Sequence, residues 1–532
     1  MARGKDNSAP DFSEFDDWRM RGTDEENLYD WEGKSVADRG LIVKRNMELL
    51  LNRGAWTKKV SAFEVELNKI ADEEEREIKR QEFEIHFDHY RPPHNKRDIF
   101  HGKLDFSEYH FPCITSFAGV IFSDQSNSDK ISFQNAYFDK GNISFERTAF
   151  GNRKVIFTKT NFGDSNVKFK NTFFGNSEVN FDGTTFGSGE VNFTDAIFGH
   201  REVQFEEELF GDKNVTFEKA TFGLGSLFFD GAQFGKGHVW FTGAKFKGGY
   251  VSFSRAKFKG EFNFKSNKKE SKLQSASFND IIVSGNLTIN ADFHEVATFQ
   301  RLDVKGSANF SGSSFKKVPD FRDMKLDRPP EVAGMEVPPE KLKMGFWPFA
   351  KYSGDKGDVA KYRKLKSMAI AASDHVKSGK FFSYEMMAKR GIETTGRFAL
   401  LFNWLYGLLG GYGQSYGRPM IALFGLWLLT AIFNIWKIFQ ELVFVSEWDW
   451  WQNIALSFLL SAKNLTPIFN SLSRFVPSPS GYESWFQDSM NRLKTENVNI
   501  DWLTSIGILE QFIGTIFLFL LLLGLRNAFR LK

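Results

Sequence analysis

The sequence predicts a solenoid of short β-strands with a phenylalanine core, followed by a helical module that enters a membrane. Three observations predict it. Phenylalanines hold a fixed register through the middle of the chain, glycine follows every second one over much of that register, and two apolar stretches near the C-terminus are long enough to span a bilayer. A chain of 532 residues should hold at least two domains. The formal net charge of +3 argues neither for nor against a nucleic-acid partner. The single cysteine, Cys113, excludes an intrachain disulfide and a cysteine zinc site, and fits a reducing compartment.

Residues 1–99 are polar and mixed, and the opening MARGKDNSAPDFSEFDDW lacks the apolar core of a cleaved signal peptide. Segments 36–53 and 61–84 carry helical patterning. The second holds the run DEEEREIKRQE, which reads as a solvated helix face. His86, His89, His94, His101 and His110 cluster nearby. Their one His-x-x-His spacing is a weak metal signal, ordinary surface and capping roles fit them better, and no metal or cofactor is assigned.

The solenoid is read over residues 100–321. Its regular part pairs Phe157 with Phe162, Phe169 with Phe174, Phe181 with Phe186, Phe193 with Phe198 and Phe205 with Phe210, within a run from Phe133 to Phe258. Spacings alternate between five and seven, giving a 12-residue period that a helix of 3.6 residues per turn cannot produce. Two residues before the first Phe sits a β-branched residue, as at Val155, Val167 and Val179. Two residues before the second is usually Thr or Ala, as at Thr160, Thr172, Thr184 and Ala196. Residues two apart on a strand share a face, so each strand points one large and one smaller side chain inward. The Gly after the second Phe, from Gly151 to Gly235, suits a corner with positive φ.

These residues resemble the pentapeptide-repeat family, whose five-residue unit has a small residue at i−2 and Leu or Phe at i. The resemblance implies a right-handed quadrilateral β-helix. This chain adds two residues at every second corner, which predicts 24 residues per coil and four interior Phe columns. A flatter, two-faced coil of 12 residues is the alternative. Some family members mimic DNA, which requires an acidic face. Between Ile131 and Phe264 there are 16 Lys and Arg against 15 Asp and Glu, so a rigid spacer or protein-docking rod is the better expectation and nucleic acid is not an expected partner.

Residues 322–357, including the Pro-rich RPPEVAGMEVPP, read as a linker. Residues 358–396 read as a cytoplasmic helical hairpin turning near Lys380. Here Tyr362, Arg363, Leu365, Lys366, Ala369, Asp374, His375, Phe381, Phe382 and Glu385 resemble the linker helices of bacterial membrane proteins that join pentapeptide repeats to an ion-channel-like module. Asp374 and His375 are expected at a packed turn, with no nucleophile or metal-ligand set beside them.

The membrane module is read over 397–532. Segment 398–410, FALLFNWLYGLLG, is too short to cross and suits an interfacial helix. Segments 419–439 and 502–525 are long enough to span, with Pro419 in a first helical turn. YGQSYGRP (412–419) and the terminal LGLRNAFRLK resemble signatures of the same membrane family. Arg390, Arg397, Arg418, Arg526, Arg530 and Lys532 flank the spans on one side, whereas the loop 440–505 has seven acids and four bases. Both termini and the solenoid are therefore expected in the cytoplasm, with the spans in the inner membrane.

Between the spans, 450–462 reads as an apolar helix too short to cross, followed by KNLTP. The arrangement resembles two-transmembrane pore-loop channels, and places Lys463, Asn464 and Thr466 at the pore. The TVGYG-type filter of potassium channels is absent, so potassium selectivity is not implied. Glu510 interrupts the second span, where an ionisable residue must face a pore, a cavity or a partner. The expectation is an oligomeric ion channel, a tetramer or similar, in contact with lipid, whose solenoid docks a protein or gates the pore. A non-conducting, membrane-tethered scaffold is the alternative. No Ser/His/Asp, metal or phosphate-cradle constellation points to an enzyme.

Overall fold

The computed structural model describes residues 45–46, 49–72, 75–76, 85–86, 104–112, 115–122, 130–139, 141–337, 349, 355–442, 450–465, 482–495 and 501–529. The chain divides into two compact units, Met1–Glu340 and Lys341–Lys532. His89, His94, His101, Thr466 and parts of the loop between the spans (443–449, 466–481 and 496–500) lie outside the described residues.

The first unit is a parallel β-solenoid. Val179 pairs with Val155 on one side and Val203 on the other, and Val191 pairs with Val167 and Val215. Each residue thus meets its equivalent two repeats away, so one coil uses two repeats. The flatter 12-residue coil would set Val167 beside Val179, and it does not form. Four ladders climb the solenoid: sheets of ten and nine strands, a ladder through Tyr137, Asn161, Thr185 and Leu209, and one through Ala149, Phe173 and Ile197.

The strand alternation sends Lys154 outward and Val155 and Phe157 inward. All ten phenylalanines from Phe157 to Phe210 named above are buried. Rings stack up each column, as Phe169 on Phe193 at 4.7 Å and 3°. Facing columns meet edge to face, as Phe181 and Phe193 at 5.7 Å and 88°. Each buried Phe contributes about 1.5–3 kcal/mol, and each favourable ring pair about 0.5–1.5 kcal/mol beyond that. The smaller inward residue is satisfied as well: the Thr184 hydroxyl donates to the Phe157 carbonyl at 2.8 Å, and Thr160 does the same to Phe133 at 2.7 Å.

Glycine after the second Phe answers to the expected corner conformation at half of its positions and to a second demand besides. Gly151, Gly163, Gly175 and Gly187 do have positive φ, whereas Gly199, Gly211, Gly223 and Gly235 do not. What they share is close stacking: a Cβ on Gly199 would lie 2.0 Å from the Gly175 carbonyl oxygen, and one on Gly211 1.7 Å from that of Gly187. The left-handed positions that every repeat does use are the short corners, where Lys159, Asn171, Asp195, Glu207 and Lys219 have φ between 54° and 62°.

The solenoid also reaches further at both ends than 100–321. Ile85 pairs with Thr115 near the start. At the far end Asn309 bridges to Glu331 and Ser314 to Glu336, and Val332, Met335 and Val337 are buried. Much of the Pro-rich segment expected as linker is therefore the last coil. Helix α1 (Arg53–Leu67) covers the N-terminal end. Its start is fixed by Asn52, whose side chain accepts from the Ala55 N–H; residues 45–46, 49–51 and 75–76 are helical as well, so the expected segments 36–53 and 61–84 are helical in part and α1 fills the gap between them. Trp56, Val60, Phe63 and Leu67 form its buried stripe, and the Trp56 indole packs 5.4 Å from Phe111. A solenoid end exposes a cross-section of core, and this helix closes it.

The second unit is helical: α2 (Asp358–Ala371), α3 (His375–Ala388), α4 (Arg397–Gly410), a short turn Gly411–Gly413, α5 (Gly417–Leu442), α6 (Trp450–Leu465), α7 (Tyr482–Thr495) and α8 (Asp501–Phe529). Within α5 and α8, Gly417–Gln440 and Ser505–Phe529 are long and apolar enough to cross a membrane. Their polarity runs opposite to that of a soluble bundle. Ile421, Leu429, Phe512 and Phe519 are exposed, while Asn434 and Glu510 are buried. That inversion matches helices surrounded by lipid or by further copies rather than by water.

Candidate functional site in the membrane module

Helix α6 is 16 residues long, about 24 Å at the helical rise, and cannot cross a hydrocarbon core of about 30 Å. It packs against both spans. Its buried face is polar at successive turns, through Asn453, Ser457 and Ser461. The Trp427 indole on α5 donates to the Phe458 carbonyl at 3.1 Å.

Glu510 on α8 joins the three helices. Thr430 on α5 donates to Glu510 Oε1 at 2.6 Å, Ser461 on α6 donates to the same oxygen, and the two hydroxyls touch each other. The side-chain amide of Asn464 faces the same carboxyl, whose other oxygen has no hydrogen-bond partner. Glycines admit the end of α6: a Cβ on Gly507 would lie 2.8 Å from the Asn464 amide nitrogen, and one on Gly514 2.4 Å from the Leu465 carbonyl. Of the residues expected at the pore, Glu510 and Asn464 thus come together. Lys463 points elsewhere, its ammonium 4.7 Å from the Phe486 ring on α7. Thr466 lies outside the described residues.

At the other end of the spans, the two resembling signatures meet. Asn527 near the end of α8 donates to the Gly413 carbonyl at 2.7 Å, and a Cβ on Gly524 would lie 2.8 Å from the Ser415 carbonyl. Tyr412 holds a left-handed φ of 56°. The strain is held by burial of its ring and by its hydroxyl, which donates to Asn403 Oδ1 at 3.0 Å. Asn403 in turn donates to the Met386 carbonyl on α3 at 3.1 Å, and Arg418 donates to the Gly407 carbonyl at 3.1 Å. Gly379 of α3 lies so close to Gln414 that a Cβ would meet its Oε1 at 2.0 Å. The hairpin therefore grips the turn that begins the first span. Gln414 and Asn527 lie in the two signatures marked in the sequence, whereas nothing there singles out Asn403.

The hairpin is locked by charge. Glu385 on α3 is buried, and accepts from Arg363 on α2 at 3.2 Å, from Lys366, and from Lys389 at 2.9 Å. Burial alone would raise its carboxyl, but the hydrogen bonds from Lys366, Lys389 and Arg363 outweigh it and hold the group below the usual carboxylate range. Tyr362 and Phe381 are core residues, and Lys366 lies 5.5 Å from the Phe382 ring. Asp374 caps α3 by accepting from the Lys377 N–H at 3.0 Å, and His375 is the first residue of that helix, so the hairpin turns at 372–374 and not near Lys380, which lies within α3. No protein-family model, curated protein or solved structure matches the chain significantly.

Proposed function

We propose that this is a pentapeptide-repeat membrane protein whose C-terminal module assembles, as a tetramer or similar ring, into an ion-conducting pore. The solenoid lies in the cytoplasm, where it docks a partner or sets the gate, and the spans sit in the inner membrane. The observation that carries the reading is α6, an intramembrane helix too short to cross, held between both spans by Glu510. Its end carries Asn464, whose side-chain amide is an oxygen donor of the kind cation permeation requires. The hairpin's grip on the turn at Gly411–Gln414 supplies a mechanical link from the cytoplasm to the first span. The scaffold reading draws support from Glu510 itself, which is enclosed within one subunit. Ion flux into proteoliposomes holding the purified full chain tests the proposal. Flux that depends on the protein supports it, and silent vesicles containing folded oligomer oppose it.

A further inference from the structure

The near-neutral balance of the solenoid conceals a strong separation of charge along its axis. Residues 178–230 carry 11 Asp and Glu against 3 Lys and Arg; residues 236–272 carry 10 Lys and Arg against 2 Asp and Glu. The rod thus has an acidic zone directly followed by a basic one.

One edge of the rod carries both zones. Asp182, Glu206 and Asp230 occupy equivalent places on three successive coils, and the Glu206 N–H donates to Asp182 Oδ1 at 3.2 Å. Glu207 sits beside them at a left-handed corner, and the corner position two coils on is Arg255, with φ of 62° and 63°. Lys257 and Lys259 follow Arg255. Among the described residues, none of Asp182, Glu206, Glu207, Asp230, Arg255, Lys257 or Lys259 forms an ion pair within the chain. Crowding shows in Glu206, whose carboxyl is raised above its ordinary value by burial and by Asp182, Asp230 and Glu207. The adjoining sheet face is uncovered, with Leu209 and Ile282 both exposed on it.

Midway between Glu207 and Arg255 is Gly231, at the same corner of the intervening coil. We infer that this edge binds a second copy of the same chain, antiparallel, about a twofold axis at Gly231 and Gln233. The axis sets Glu207 of each copy opposite Arg255 of the other, and Glu206 beside the other's basic zone. Coils are about 4.8 Å apart, so both contacts lie one step from the axis. Gly231 has no side chain to hold the copies apart. An isologous contact of this kind is self-limiting and closes as a pair.

The test uses the full chain in detergent with Cys113 replaced by Ser and Gln233→Cys as the reporter. Because Gln233 lies at the axis, oxidation should give a covalent dimer at low salt. The yield should fall more than about fivefold at 1 M salt, where screening acts within about 3 Å. The pair Glu206→Lys, Glu207→Lys should abolish the cross-link, as should the pair Arg255→Glu, Lys257→Glu. Mixing the two variants should restore it, because each reversed zone then meets its complement. A reporter that fails to cross-link at low salt, or cross-links equally at both salt levels, overturns the proposal. So does a mixture of folded variants that stays monomeric at Gln233→Cys. The salt comparison needs no charge variant, so it decides the matter even if a reversed chain fails to fold.

Discussion

Glu208 occupies an interior position that Thr184 and Ala232 hold on the coils either side, and it is fully buried. Neither of its carboxyl oxygens has a hydrogen-bond partner, and its charged neighbours are Asp182, Glu206 and Glu207. Burial first, and those like charges with it, push the group well above its ordinary range against the opposing pull of its own backbone. Glu208→Ala should therefore stabilise the solenoid. An unpartnered buried polar group costs about 1–3 kcal/mol. Keeping the proton on the folded chain adds a cost that grows with pH above the ordinary carboxylate range. Losing two buried methylenes takes back about 1.6 kcal/mol. The net gain at pH 7 should be on the order of 1 kcal/mol or more, a rise of a few degrees in Tm for a domain of this size. Because the folded pKa lies above the unfolded one, the cost is smallest below the unfolded pKa and grows as pH rises. At pH 5 the gain should be smaller than at pH 7. Thermal melts of wild type, Glu208→Ala and Glu208→Gln at both pH values provide the assay. A Glu208→Ala chain that melts at or below wild type at pH 7, or with an unchanged pH slope, would refute the reasoning.

His110 lies between Glu64 of α1, at 2.8 Å, and Asp139 of the solenoid, at 3.4 Å. Burial opposes its charge, but Asp139 and Glu64 prevail and raise its pKa. Its contribution to holding α1 is complete below the unfolded pKa and lost as pH rises through the folded one, so protection factors in α1, with intrinsic base catalysis divided out, should fall from pH 6 to pH 9. His110→Gln should flatten that dependence; protection that stays constant or rises in the wild type would contradict it. Gly514→Ala should displace the end of α6, because the new methyl meets backbone 2.4 Å away, and a fluorescent probe there should report greater mobility with the spans still inserted. In a chain lacking Cys113, a cysteine at Gln487 of α7 should react with an impermeant reagent outside intact cells and one at Lys257 should not; the reverse would invert the proposed topology.

Much of the solenoid was legible because its core obeys one rule at nearly every repeat: each inward site takes Phe, a β-branched residue or Thr/Ala, with Glu208 and Leu227 as departures. The last coil escaped because Val332, Met335 and Val337 replace Phe there, although Val332 and Val337 keep the five-residue spacing. The cap escaped because α1 takes its start from a local cap at Asn52, while charge patterning extended the helix past Leu67. Glycine was assigned to corner conformation because close approach between coils has no signature within a single repeat. In the membrane module, apolar length revealed the spans and the oddity of Glu510. Its partners Thr430 and Ser461 are ordinary residues in the sequence, and only helix packing brings them together. Lys463 was placed at the pore by its neighbours in sequence, whereas α7 supplies the ring it turns to.

The pore itself is tested most directly by current through planar bilayers holding the purified full chain, recorded for wild type and for Glu510→Gln. The side chain bonds the hydroxyls that hold α6 between the spans, so the amide should change conductance or reversal potential while insertion and assembly persist. Wild-type chains that insert and assemble yet carry no current at any voltage, with or without the solenoid, would contradict conduction and leave a membrane-tethered scaffold.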